Sequence, residues 1–431
     1  MNYYSLLKKV PNTSFKQATI QGQAPDKGLY FPTNIPVYST QEINGLKNVS
    51  KAELGFKIML PYIGNDIPEA DLYNIVAETI DFDIPIKKIS TDISVLELFH
   101  GPTLAFKDVG ARFMSRCLGY FSKNNQFTTT VLVATSGDTG GAVANGFLGV
   151  EGVEVIILYP KNKVSKIQEL QLTTCGKNIT ALEVEGSFDD CQAMVKEAFM
   201  DVDLSNKYTL TSANSINVAR WLPQQLYYFL AWQQWDEFEI PVISVPSGNF
   251  GNICAGILAQ KSGLPIKHFI AACNANNIIT DYLTTAQYIN RSSIPTISNA
   301  MDVANPSNFV RIEAIFEHIF KEVQSSISSY SISDEDTKKG MEELFKAYNY
   351  ISDPHGAVAY QALLQYQQIN KVRGIFLETA HPIKFPEVVE ETIQQKLDVP
   401  KSVAYLLSKQ KESHLLKPTF LALKAWMMAN K

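Results

Sequence analysis

The sequence predicts an α/β protein with two open parallel-sheet domains, helices on both sheet faces and an additional N-terminal domain. Three observations predict it. From about residue 128 onward, short β-branched runs alternate with helical patterns, the helices carry capping signals, and Gly- and Asn-rich loops directly follow several strands. Strands separated by helices cannot pair as hairpins, so parallel pairing is expected. Such sheets place ligands beyond the carboxyl ends of their strands, which puts the expected sites in strand-to-helix loops.

Residues 1–90 are less regular, with Gly28, Pro32, Pro36, Pro61 and Pro68 interrupting the pattern, and are read as a separate N-terminal domain or a wrap around the rest. Phe106, Val109, Phe113, Met114, Cys117, Leu118 and Phe121 then recur at helical spacing, which puts Lys107 in the first turn of an amphipathic helix. Residues 129–134, 153–158, 179–184, 208–211, 242–245, 268–272 and 374–377 read as buried strands. Ser187 with Asp190 resembles a capping box opening a helix through Phe199, and Gly263 suits the C′ position after a helix at 253–260. Tyr227, Tyr228, Phe229, Trp232 and Trp235 read as helix packing. The hydrophobic C-terminal segment with Leu415, Phe420, Leu423 and Trp426 reads as a docked helix. The expected division gives residues 128–239 to a small domain, and 91–127 with 240–431 to a large one.

A length of 431 residues allows two or three domains, and 45% hydrophobic with 19% charged residues describes a globular chain. A net charge of -5 gives no reason to expect a nucleic-acid partner or an anionic membrane. The N-terminus lacks an apolar core of signal-peptide length, and no apolar stretch is long enough to span a bilayer. Five scattered cysteines without a C-x-x-C pair suit reduced thiols in a cytoplasm. The six histidines are equally dispersed, so no metal site is expected.

Four loops carry the chemistry. In the first, H-G-P-T-L-A-F-K-D, Lys107 meets the positive end of the helix dipole, which favours the neutral amine needed to attack an aldehyde. The second, A-T-S-G-D-T-G-G-A from Ala134, can bring backbone close to an anion. Its spacing is not G-x-G-x-x-G, and Asp138 would repel a pyrophosphate, so a dinucleotide-binding dehydrogenase fits poorly. In the third, P-S-G-N-F-G-N, two glycines and two asparagines at a helix start favour a phosphate nest over a plain tight turn. The fourth, Thr211 to Arg220, supports two readings: a second phosphate site using Asn214, Ser215 and Arg220, or an ordinary N-cap with a solvated arginine. Lys163 and Lys166 could add charge there or form an exposed helical face.

Taken together and in order, these segments resemble the threonine synthase family of fold-type-II pyridoxal-phosphate enzymes. The resemblance also includes S-A-N-S-I-N from Ser212, S-N-A-M-D-V from Ser298, D-P-H-G-A-V-A-Y from Asp353 and T-A-H-P-I-K-F from Thr379, and it runs essentially end to end. It implies a cytoplasmic lyase of threonine biosynthesis that converts O-phospho-L-homoserine and water to L-threonine and phosphate. Pyridoxal 5′-phosphate is the implied cofactor, held covalently by the catalytic Lys107 and through its phosphate by Gly248, Asn249, Phe250, Gly251 and Asn252. Thr379 is implied beside the pyridine nitrogen, and Asp138 beside the ring hydroxyl, where many relatives have Asn. Thr135 and Ser136 match the loop that grips the substrate carboxylate. Asn214, Ser215 and Arg220 match the substrate-phosphate site, with Lys163 as a possible addition. The rival readings are a phospho-lyase releasing an α-keto acid and a cofactor-binding relative without turnover. A monomer is expected, with a homodimer as the alternative.

Overall fold

Two parallel sheets organise the chain in a computed structural model that describes residues 1–123 and 128–430; the expected boundary at 127 lies outside the described residues. The larger sheet has six strands in the order Ile327–Ser331, His268–Cys273, Val242–Pro246, Gly374–Glu378, Ile93–Glu97 and Ile86–Lys88. Five run parallel. The edge strand Ile86–Lys88 is antiparallel to Ile93–Glu97, because the four residues between them are enough for a hairpin and too few for a crossover. The smaller sheet is parallel throughout, ordered His414–Leu416, Ile179–Val184, Val153–Pro160, Thr129–Ala134 and Thr209–Thr211. Every residue of Thr129–Ala134 and of Gly374–Glu378 is buried, as expected of strands covered by helices on both faces.

All seven strands read from the sequence are present, within two residues at each end. Ile93–Glu97, Ile327–Ser331 and His414–Leu416 were not expected. The last of these corrects the reading of the C-terminus. The helix Phe420–Ala429 does dock through Leu423 and Met427, but its preceding strand joins the smaller sheet and leaves Leu415 55% exposed. Residues 414–429 therefore belong with the segment 128–239, and not with the large sheet where the sequence grouped them.

The N-terminal segment is more regular than expected. A three-stranded antiparallel sheet (Asn2–Ser5, Thr13–Ser14, Tyr30–Pro32) accompanies the helices Phe15–Gln21, Thr40–Gly45, Lys51–Ile63 and Glu69–Thr79. Pro61 sits inside a helix instead of breaking it. A proline there cannot bond the carbonyl four residues back, and the Tyr38 hydroxyl donates to that Lys57 oxygen at 3.3 Å. Tyr3, Phe15, Leu54, Ile58 and Tyr62 share one continuous core with Phe113, Leu118, Trp221 and Leu226, so this segment is packed onto the body of the protein.

Candidate active site

The loop after Ile93–Glu97 delivers Lys107 to the first turn of the helix Lys107–Ser122, as expected. Phe106 precedes that helix without a side-chain cap. Leu104 takes a left-handed φ of 59°, a conformation that a leucine holds only when its surroundings impose it. The imposing contacts are visible. Phe106 N donates to Thr379 O at 2.8 Å, His381 N to Leu104 O at 3.0 Å, and the Tyr227 hydroxyl to Phe106 O. Gly101 lies so close to Asp108 that a Cβ would stand 2.5 Å from its carboxylate. The lysine loop is thereby tied to the loop that carries Thr379.

Lys107 is half-buried. Burial lowers its pKa, Asp138 opposes that shift, and the neighbouring cations Lys384 and Arg220 lower it further. A larger share of the amine is therefore neutral than in a free lysine, in agreement with the expectation from the helix dipole. Asp138 opens the helix Asp138–Phe147 after the strand Thr129–Ala134. Burial works against its charge, yet Lys384 and Lys107 outweigh burial and hold the carboxyl well below the usual range. Asp138 Oδ1 lies 2.9 Å from Lys384 Nζ and accepts Gln168 Nε2 at 2.8 Å. Lys384 is fully buried and also donates to Thr103 O at 2.8 Å and Gln171 Oε1 at 3.1 Å. In the same loop the Thr135 hydroxyl accepts from the amides of Gly137 and Gly140 and donates to Gly137 O. It stitches the loop together and has no capacity left for a ligand, whereas Ser136 and Thr139 are partly exposed.

The third loop joins Val242–Pro246 to the helix Gly251–Lys261. Phe250 adopts φ 59° and offers that helix no side-chain cap. From Gly248 to Asn252 no backbone amide donates to any acceptor among the described residues. Five neighbouring amides without partners at a helix start form a nest for an anion. Gly248 is needed because a Cβ would meet Met301 Cα at 2.6 Å. Asn252 Oδ1 accepts from the Tyr228 hydroxyl at 2.7 Å, while its buried Nδ2 has no partner among the described residues.

The fourth loop follows Thr209–Thr211. Asn217 caps the short helix Val218–Trp221, and its amide also donates to Thr19 O and Ser212 O, so its role is structural. Asn249 Nδ2 reaches Ser215 Oγ at 2.9 Å and joins this loop to the phosphate nest. Arg220 is 4% exposed, which excludes the solvated reading. Its Nη1 donates to Lys107 O at 3.3 Å, its buried Nε has no partner among the described residues, and burial lowers its pKa to about 10. Lys163 and Lys166 are exposed, and Lys166 pairs loosely with Glu169 at 4.0 Å. The buried lysine of the site is Lys384.

Thr379 is 6% exposed and directly follows Glu378, whose carboxyl is raised well above its ordinary value by burial and by the charge of Asp353. Two residues on, His381 Nδ1 accepts Ile383 N at 3.1 Å, and burial, aided by His100, lowers its pKa to about 4. A histidine depressed in the folded state stays neutral there while the unfolded chain takes up a proton below about 6.5. Its contribution is thus present above about pH 6.5 and lost as the pH falls towards about 4. His381→Asn keeps a cap acceptor and is expected to flatten the decline of Tm across that window. An unchanged slope in pH-dependent thermal melts would remove His381 as the cause.

The sequence named Lys107, Asp138 and Arg220 but missed Lys384, Gln168 and Arg311. A signal existed for two of them. Lys384 interrupts the apolar pair Ile383 and Phe385, and Arg311 stands between Phe309 and Ile312 on the buried side of a helix.

The donor set suits pyridoxal 5′-phosphate. A nucleophilic amine lies within one connected cluster with an uncapped anion nest, and buried Asn252 Nδ2 and Arg220 Nε lack acceptors among the described residues. Two open parallel sheets with such a lysine at their carboxyl edges define a pyridoxal-phosphate-dependent enzyme, and residues 84–374 match the family model for pyridoxal-phosphate dependent enzymes. Residues 2–80 match the threonine synthase N terminus, and residues 356–427 the threonine synthase C-terminal model. The chain belongs to the threonine synthase family. Threonine synthase of Serratia marcescens is 43% identical over 430 residues, covering 99% of each chain. The crystal structure of threonine synthase from Escherichia coli superposes with a TM-score of 0.94 at 42% identity, covering 100% of both chains. The structure of PLP-bound threonine synthase from Brucella melitensis gives 0.93 at 32% identity, covering 100% of this chain and 99% of that one.

Among the described residues, no helix is long and apolar enough to cross a membrane, and no group of three His, Cys, Asp or Glu side chains could hold a metal ion.

Proposed function

We propose that the protein converts O-phospho-L-homoserine and water to L-threonine and phosphate, with Lys107 as the catalytic residue. The carrying observation is the connected pair of anion sites around one depressed amine: the nest at 248–252 and, joined to it through Asn249 and Ser215, the loop carrying Arg220. Two such sites fit a cofactor phosphate and a substrate phosphate.

When bound, pyridoxal phosphate supplies an electron sink for negative charge at the substrate Cα. Every other task falls to this chain. Gly248, Asn249, Phe250, Gly251 and Asn252 would hold the cofactor phosphate through amides, Thr379 would partner the pyridine nitrogen, and Asp138, kept ionised by Lys384, would partner the ring hydroxyl. Ser136 and the free amides of its loop take the substrate carboxylate. Thr135 shapes that loop without touching the ligand, since its hydroxyl is already engaged.

Asn214, Ser215 and Arg220 receive the substrate phosphate, and the exposed Lys163 plays no part in this reading. Lys107 Nζ removes protons at Cα and Cβ; once phosphate has left Cγ it gives one proton to Cγ, completing the methyl group, and the other back to Cα after water adds at Cβ, acting alternately as base and acid. The orphaned donors of Arg220 meet the charge that grows on the departing phosphate. Water then adds at Cβ. All these loops come from one chain, which supports a monomer as the working unit, and five free cysteines suit a cytoplasmic setting.

The test is incubation of the purified holoenzyme with O-phospho-L-homoserine and product analysis by mass spectrometry. Threonine and phosphate in equal amounts are expected. An α-keto acid in place of threonine would make the protein a phospho-lyase, and the absence of any product would overturn the reading.

A further inference from the structure

A second buried guanidinium lies behind the fourth loop and has no task in the scheme above. Arg311, in the helix Phe309–Ile315, is 0% exposed and forms no ion pair among the described residues. A buried cation without a carboxylate is costly unless neutral acceptors surround it. Here they do. Nη1 donates to Ser215 O at 3.0 Å and Asn308 Oδ1 at 2.6 Å, and Nη2 donates to Ile216 O at 2.6 Å and Tyr30 O at 3.2 Å. Its face covers the Trp221 ring at 4.4 Å.

These bonds decide which groups the loop offers to a ligand. In a trans peptide the carbonyl and the following N–H point in opposite directions. Drawing the Ser215 carbonyl onto Arg311 therefore turns the Ile216 N–H away from it, and that amide has no partner among the described residues. The second effect runs through Asn308. With its Oδ1 held by Arg311, its Nδ2 must face the other way, and it donates to Ser215 Oγ at 3.0 Å. Asn249 is oriented likewise, because its Oδ1 accepts the Ser307 amide and hydroxyl at 2.7 and 2.8 Å, leaving Nδ2 for Ser215 Oγ. A hydroxyl oxygen that accepts two N–H bonds keeps only its own proton to give. Ser215 is thereby fixed as a donor.

We infer that Arg311 is a positioning residue for the substrate's phosphate group, setting the Ser215 O–H and the Ile216 N–H as paired donors without touching the ligand. The inference rests on the reading of the fourth loop as the substrate-phosphate site. It also explains why a helix far along the chain bonds both to that loop and to Tyr30 of the N-terminal sheet.

The test compares wild-type, Arg311→Lys and Arg311→Met holoenzymes by KM, kcat and the inhibition constant of inorganic phosphate. Circular dichroism and cofactor content serve as fold controls. Losing the aligned donors is expected to raise KM and the phosphate inhibition constant together by roughly 10- to 100-fold, with cofactor content unchanged. Arg311→Lys should fall on the weak side, since one ammonium cannot hold four divergent acceptors. Should both variants fail to fold, Asn308→Ala decides, because it removes one of the two bonds that fix Ser215 while leaving the arginine's carbonyl bonds in place; a rise in both constants supports the inference, and unchanged constants overturn it. Folded variants with unchanged phosphate inhibition and unchanged KM would overturn the role of Arg311 alone. A wild-type enzyme that neither binds inorganic phosphate nor releases it from O-phospho-L-homoserine would overturn this inference together with the reading on which it rests.

Discussion

Lys107→Ala is expected to abolish covalent attachment of the cofactor and to reduce turnover by at least about 10³-fold, the loss that follows when one group serves as both nucleophile and proton carrier. The neighbouring amine of Lys384 cannot take over. Lys384 is fully buried, lies 2.9 Å from Asp138 and donates to two further oxygens, so freeing it would strand a buried carboxylate. The fold should survive, because the Lys107 side chain is half-buried and makes no hydrogen bond among the described residues. Mass spectrometry after borohydride reduction, run beside a product assay, reads both effects. Attachment at wild-type levels, or turnover within tenfold of wild type, would contradict the assignment.

Arg220→Ala is expected to have the second largest effect, lowering kcat/KM for O-phospho-L-homoserine by about 10²- to 10³-fold while the cofactor stays bound. The guanidinium is buried, its Nε has no partner among the described residues, and it adjoins the loop joined to the anion nest. Part of the loss should appear in kcat, because a growing charge on a departing phosphate gains more from a desolvated donor than a bound ester does. Arg220→Lys would keep charge but lose the fork. Unchanged steady-state kinetics in the alanine variant would place Arg220 outside the site.

Most of the site was legible because its loops obey a local rule. A buried β-branched strand, then Gly, Ser or Asn, then a helix start marks a place where backbone amides are free, and that pattern needs no partner from elsewhere in the chain. The nest at Gly248 to Asn252 was read in this way, whereas Lys107 came from its flanking block and the helical spacing after it, and the place of Asp138 from the family resemblance. Lys384 and Arg311 obey no such rule, since their meaning comes from carbonyls that folding brings in from Thr103, Ser215, Ile216 and Tyr30. Thr135 was legible in place but not in role. A threonine in a glycine-rich turn can serve a ligand or its own loop, and only the three bonds of its hydroxyl decide between them. In the fold, Pro61 misled because the Tyr38 hydroxyl that compensates for it lies 23 residues away. The strand at 414–416 was invisible because one short apolar stretch gives no hint of which sheet edge it will complete.

That late strand has a mechanical consequence. The chain passes between the two sheets three times: from Ile93–Glu97 to Thr129–Ala134, from Thr209–Thr211 back to Val242–Pro246, and from Gly374–Glu378 out to His414–Leu416. The first cord carries Lys107, the second Asn214, Ser215 and Arg220, and the third Thr379 and Lys384. Two plates laced by three cords have few ways to shift without pulling on at least one of them. Because each cord carries residues proposed for the reaction, a tilt of one sheet against the other is expected to shift Lys107, Arg220 and Thr379 in concert, as a single gear train.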